Sequence, residues 1–398
     1  MTIKLNEEKF FSLLLALSPF LINYNIPILN INITFLIYMI LALFAFLNII
    51  MNDVGIFLKK IKSFTCSPLM VVMLLYIIFE TFYVENPIGL VDTLMQVFLL
   101  YIQLFGFIWF FSYASNRVKY KNYVVNIALF MSFIVFIQYV LYYLFGYLPG
   151  GDTRTALIPF NALFSDSVIE TSKQGMVING FFRPSAMFLE PAHFSAYCSL
   201  GLVVQVFAER KIGWKSIIIS LAICMTTSGM GIASVGVICV MYVFFDFQAL
   251  KKTKIQRAFF ITIVLSFIFV FFYFNFTFFR NAISRFFGTD NALSGRLSGR
   301  LFIDELQGKS RMFGVGYKNF TKFENVSYFF SALTELMYCQ GMVGTIIFSV
   351  FYIAGLIKIY LSKNQEHTTA MVIGAIFFIG SDLFSAGQII KYIPFLFK

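Results

Sequence analysis

Charge is what this 398-residue chain has least of: Asp, Glu, Lys and Arg make up 12% of it, where soluble domains carry about a quarter. With 59% apolar residues and a mean hydropathy of +0.82, that shortage excludes an ordinary water-soluble domain. Histidine is almost absent, with two in the whole chain. The five cysteines, Cys66, Cys198, Cys224, Cys239 and Cys339, show no metal-ligand spacing. Four lie in apolar runs and read as small buried residues, so no zinc or redox site is expected. There is no Asp-x-Asp pair to hold a metal ion, no repeat of fixed period and no low-complexity linker. The chain is therefore taken as one membrane domain, 1–398. No small-residue cleavage site follows the start, so the first apolar run reads as a retained span and not a signal peptide.

What fills the chain is long apolar runs of about 20 residues, the length that crosses a bilayer as a helix. The pattern predicts an all-α polytopic membrane protein of about 11 or 12 transmembrane helices, not a barrel of short alternating strands. The expected spans are 10–29, 31–50, 68–83, 94–113, 123–146, 187–207, 216–227, 231–247, 258–279, 330–357 and 369–385, with a short element near 387–397. Lysine and arginine follow the even-numbered spans: Lys59, Lys60 and Lys62; Arg117, Lys119 and Lys121; Arg210, Lys211 and Lys215; Lys251, Lys252, Lys254 and Arg257. Basic exits place those loops on the cytoplasmic side. The pair 216–227 and 231–247 requires a turn at Thr226–Gly231; one long tilted helix there would invert everything after it.

With this orientation two long loops face outside, about 147–186 and 280–329. The second carries eight bases, Arg280, Arg285, Arg296, Arg300, Lys309, Arg311, Lys318 and Lys322, against Asp290, Asp304, Glu305 and Glu324. Long loops cross regardless of charge, but the excess points to an anionic ligand held by arginine forks. About half of these bases are expected only to meet lipid headgroups. Leu301, Phe302, Ile303 and Leu306 are spaced for one helical face, and Gly314-Val-Gly316-Tyr317 follows. Its glycines would let the backbone approach a ligand or another chain closely. Gly341 and Gly344 in the tenth span read as close helix packing.

The densest ionisable cluster is Arg183-Pro-Ser-Ala-Met-Phe-Leu-Glu190-Pro191-Ala-His193, ahead of the apolar run to Phe207. Ionisable residues at the mouth of a span are costly and point to function. The plainer alternative is that Glu190 caps a helix beginning at Pro191, with His193 an interfacial residue. One helical turn apart, Glu190 and His193 can share a face with Tyr197.

Taken in order, Arg183-Pro-Ser, Phe188-Leu-Glu190-Pro191-Ala-His193-Phe, Thr227-Ser-Gly229, Gly295-Arg296, Gly314-Val-Gly316-Tyr317 and Gly341-x-x-Gly344 resemble the O-antigen and capsule polymerase family, relatives of the O-antigen ligases. The similarity covers about 120–345. It implies a multi-pass protein of the bacterial inner membrane with a GT-C-like fold and its active site facing outside. Such a protein transfers a growing glycan from undecaprenyl pyrophosphate to another lipid-linked repeat unit, with inversion and without a metal or cofactor. The implied partners are the undecaprenyl-pyrophosphate-linked oligosaccharide, the lipid bilayer and a chain-length-regulating membrane protein, with no nucleic acid. The ligases carry a loop histidine before the Gly-x-x-Gly pair; Tyr328-Phe-Phe330-Ser331 stands here instead, which favours polymerase over ligase.

Breaking a sugar–pyrophosphate bond requires stabilised charge on the leaving group. The candidates for holding it are Arg183, Arg296 and Arg300, then Arg154 and Arg311, with Tyr317 beside them. Glu190 is the first candidate for activating the acceptor hydroxyl and His193 the second. Two further alternatives stand. A lipid-linked sugar transporter or flippase would show internal repeats and charges at the bilayer midplane, and here the charges cluster in outer loops. A non-enzymatic membrane subunit would not need the base-rich loop.

Overall fold

A computed structural model describes residues 2–21, 24–26, 31–51, 68–84, 90–146, 177–178, 181–188, 190–246, 274, 303–304, 306–317, 332–362, 365–379, 390–391 and 393–395. In chain order these form α1 (Thr2–Leu21), the two-residue strands β1 (Asn25–Ile26) and β2 (Ile31–Asn32), then α2 (Ile33–Met51), α3 (Pro68–Tyr83), α4 (Leu90–Phe111) and α5 (Ala114–Phe145). A second small hairpin, β3 (Val177–Ile178) and β4 (Phe181–Phe182), precedes α6 (Pro191–Val203), which ends in a π turn, Val204–Ala208. There follow α7 (Trp214–Met225), α8 (Gly229–Asp246), α9 (Gly308–Phe313), α10 (Ala332–Ser362), α11 (Gln365–Ile379) and a 3-10 turn at Ile393–Phe395. The protein is mostly helical, as expected. Among the described residues, five helices are long and apolar enough to cross a membrane: Ile33–Met51, Leu90–Phe111, Ala114–Phe145, Pro191–Ala208 and Thr334–Ala354. Leu43, Phe44, Phe46, Leu47 and Ile50 of α2 are exposed, as suits a face turned to lipid.

Several expected boundaries move, three of them with a visible cause. The first helix occupies Thr2–Leu21 and not 10–29, because the polar Asn25–Asn32 stretch turns as a hairpin and Glu8 is drawn into an ion pair with Lys119. The fifth starts nine residues before 123, at Ala114, since its first turn closes the corner with α4: Arg117 donates to the Phe111 carbonyl at 2.7 Å and Asn116 to Phe110 at 2.9 Å. The sixth starts at Pro191 rather than 187, proline suiting the first helical position. The pair after it separates into α7 and α8 with Thr226–Ser228 as the turn, so one long helix is excluded. Of the span 258–279 only residue 274 is among those described.

The chain gathers into two compact units, one of residues 1–22, 33–120 and 294–398, the other of 23–32 and 121–293. In the first, α2 packs on α4 closely enough that a Cβ on Gly106 would sit 3.1 Å from the Ala42 backbone, the small-residue packing of membrane helices. Tyr38 meets Phe107 edge to face and bonds to Ser18 at 2.9 Å. In the second, α6 is buried along nearly its whole length. Gly201 lets it lie against Ala128 of α5, and Gly231 lets α8 lie against Ser195.

Candidate functional site

In the second unit, the sequence-predicted cluster forms a lip at the start of α6. After β4, Arg183 to Phe188 turns over in a Ser185–Phe188 loop closed by a 2.9 Å backbone hydrogen bond and by the Ser185 hydroxyl donating to the Phe188 carbonyl. Ala186 at its centre is buried with φ of 51°, a left-handed conformation that costs an L-residue about 1–2 kcal/mol. Gln138 of α5 holds it there. Its amide accepts from the Ala186 N–H and donates to the Ala186 carbonyl, each at 2.9 Å, as a neighbouring strand would. Phe182 stacks on Tyr142 of the same helix at 4.7 Å.

Glu190 stands at the N-cap with extended backbone, and its side chain makes no capping hydrogen bond. The capping alternative is therefore not realised by the carboxylate. Glu190 and His193 are both exposed, and Arg183 is half-buried. Tyr197 parts from them: it is buried against Phe188. One turn into α6, Ser195 bonds to the Pro191 carbonyl at 2.8 Å and to Thr226 at 3.0 Å. The α7–α8 turn thus sits beside the base of the lip, its Thr226, Thr227 and Ser228 all buried and Thr227 at φ 50°. A polar turn at such depth is tolerated where protein satisfies its backbone.

In the first unit, the Gly314-Val-Gly316-Tyr317 segment crosses α10. The tenth span, expected to be one helix, breaks at Gly341, whose φ is 64°. The carbonyls freed there accept from the crossing segment: Val315 N–H to Tyr338 at 3.1 Å and Gly316 N–H to Cys339 at 2.9 Å. Tyr76 of α3 donates to the Gln340 carbonyl at 2.8 Å. A Cβ on Gly314 would fall 2.1 Å from the Cys339 oxygen, and one on Gly341 2.4 Å from the Gly314 nitrogen. The glycines thus serve a backbone-to-backbone crossing. Only Gly344 does the expected helix packing, against Tyr76. Ile303 and Leu306 join Val315, Tyr338 and Cys339 in an apolar cluster beneath it. Arg311 is exposed on α9, and Tyr317 is buried.

Arg154, Arg296 and Arg300 lie outside the described residues. Glu190, His193 and Arg183 share the lip of one unit; Arg311 and Tyr317 belong to the other. Sequence reading missed Gln138, whose only signal is an amide in an apolar run, and Glu80, a lone charge in α3 with no exposed surface. No protein-family model matches this chain, and no curated protein or solved structure matches it either.

Proposed function

We propose that this chain is a membrane glycosyltransferase of the polysaccharide-polymerase kind, acting on the outer face of the bacterial inner membrane. The observation that carries the reading is the lip. Glu190 and His193 stand exposed at the first turn of a buried helix, on a strained loop clamped by Gln138, and the Glu190 carboxylate is not engaged in capping. A free carboxylate fixed this way suits proton transfer. In the proposed step the acceptor sugar hydroxyl attacks the anomeric carbon of the growing glycan and loses its proton to Glu190. The bond to the pyrophosphate oxygen breaks, and undecaprenyl pyrophosphate leaves. Arg183 and the positive N-terminal end of α6 favour the anion on that side; Arg154, Arg296 and Arg300, which lie outside the described residues, are kept as candidates on the sequence alone. A chain-length-regulating membrane protein is the proposed partner.

The test is a polymerisation assay with purified full-length protein in liposomes, a defined undecaprenyl-pyrophosphate repeat unit and a chelator. A ladder of polymer lengths is expected. No ladder, with or without divalent metal, overturns the reading. In cells, loss of a polymerase leaves single repeat units attached to their final acceptor, whereas loss of a ligase leaves none.

One observation favours a second reading, a transporter of lipid-linked sugars: Glu80 is a carboxylate buried in the apolar helix α3. Movement of a lipid-linked repeat unit across protein-containing liposomes, in the absence of any ladder, would select it.

A further inference from the structure

Glu80 sits on α3 one turn after Tyr76, behind the crossing of Gly314 and Gly341, and has no exposed surface. The backbone groups around it are already paired. Val315 and Gly316 donate to the Tyr338 and Cys339 carbonyls, Tyr76 to Gln340, and the Thr345 hydroxyl to the Gly341 carbonyl at 2.7 Å. The Gly316 amide beside Glu80 therefore directs its hydrogen to the Cys339 oxygen. What is left over is acceptors. Among the described residues neither Glu80 oxygen has a hydrogen-bond partner, nor has the side-chain oxygen of Gln340, itself 1% exposed.

Among residues whose side chains are described, the ionisable groups on the surrounding elements are Tyr76 and Tyr83 on α3, Asp92 and Tyr101 on α4, Lys309 and Arg311 on α9, Tyr317 after it, and Glu335, Tyr338, Cys339 and Tyr352 on α10. Among the described residues none forms an ion pair or hydrogen bond with Glu80. Lys309 is exposed and lies over the Tyr83 ring at 5.2 Å, and Arg311 is exposed as well. Burying an uncompensated carboxylate is strongly unfavourable even after relaxation. The two orphaned carboxylate oxygens are short of positive charge and not of acceptors.

We propose that Glu80 is a binding site for a small cation, a proton or a monovalent metal ion, lodged behind the Gly314–Gly341 crossing. The site does not depend on the polymerase reading. The cation binds the folded chain and not the unfolded one, so it stabilises the fold by mass action. Stability must then rise as the occupant's concentration rises, that is, with falling pH for a proton and with added salt for a metal ion.

The experiment is a thermal-unfolding titration of the full chain in nanodiscs, wild type against Glu80→Gln, which keeps the shape and removes the charge. One arm lowers the pH in choline chloride. The other replaces choline by sodium or potassium at fixed pH and ionic strength. The wild-type midpoint is expected to rise in one arm and to lose that response in Glu80→Gln. A response in the first arm identifies a proton, and one in the second a metal ion. Equal responses in both proteins, or none in either, overturn the proposal. Should Glu80→Gln not fold, Glu80→Asp takes its place. A carboxylate one methylene shorter must shift the concentration at which the response occurs, and an unshifted response overturns the proposal as well.

Discussion

The lip of one unit and the crossing of the other solve the same problem by opposite means. Each has backbone that leaves helix geometry where water is scarce, so its N–H and C=O groups must find partners within the protein. At the lip the partner is a side chain: the Gln138 amide imitates a strand and keeps Ala186 left-handed. At the crossing it is other backbone, and the contact exists only because Gly314 and Gly341 have no Cβ. A side-chain clamp leaves room around the loop, and there Glu190 and His193 reach the surface. A backbone crossing closes the space, and there Glu80 is sealed in.

The comparison is broken most severely at the glycines. Gly314→Ala and Gly341→Ala each combine a disallowed φ with overlap against backbone that cannot rotate away. Each is expected to cost about 3 kcal/mol or more, read as lost folded protein in detergent. Gly146→Ala is the control, since its φ is 65° but nothing lies within 4 Å; a loss of about 1–2 kcal/mol separates conformational strain from overlap.

Gln138→Leu should come next. It keeps the bulk but orphans the Ala186 N–H and C=O, a loss of roughly 1–3 kcal/mol in the unfolding midpoint. Gln138→Glu, able to accept but not to donate when ionised, does not restore the wild-type midpoint. If both variants unfold like wild type, the clamp is not what holds the lip.

A smaller effect is expected at Gly236, inside α8 with open space where a Cβ would stand. Gly236→Ala should raise stability by about 0.5–1 kcal/mol through helix propensity alone. A loss there would mean that a partner covers this face.

How far the sequence foretold these two regions follows from what each is made of. Apolar length alone located α2, α3, α4, α10 and α11, because every span must hide its backbone in a helix. The lip was visible because three ionisable residues and two prolines interrupt an apolar chain. Its clamp was not, because a glutamine inside α5 gives no sign of which loop it will meet across 48 positions. At the crossing, Gly-x-x-Gly spells helix packing and a helix break equally well, and here Gly344 does the first and Gly341 the second. Glu80 was overlooked since a single acid near the end of a span reads as interfacial; only the segment that covers it, more than two hundred residues later, makes it buried.

Glu190→Gln, compared with wild type in the reconstituted polymerisation assay, bears most directly on the proposed chemistry. The carboxylate is exposed and caps nothing, so the unfolding midpoint should stay within about 0.5 kcal/mol of wild type. The ladder should collapse to single repeat units, since general-base catalysis contributes on the order of a hundredfold or more. A full-length ladder from a stable Glu190→Gln protein would contradict the assignment of Glu190 as the base.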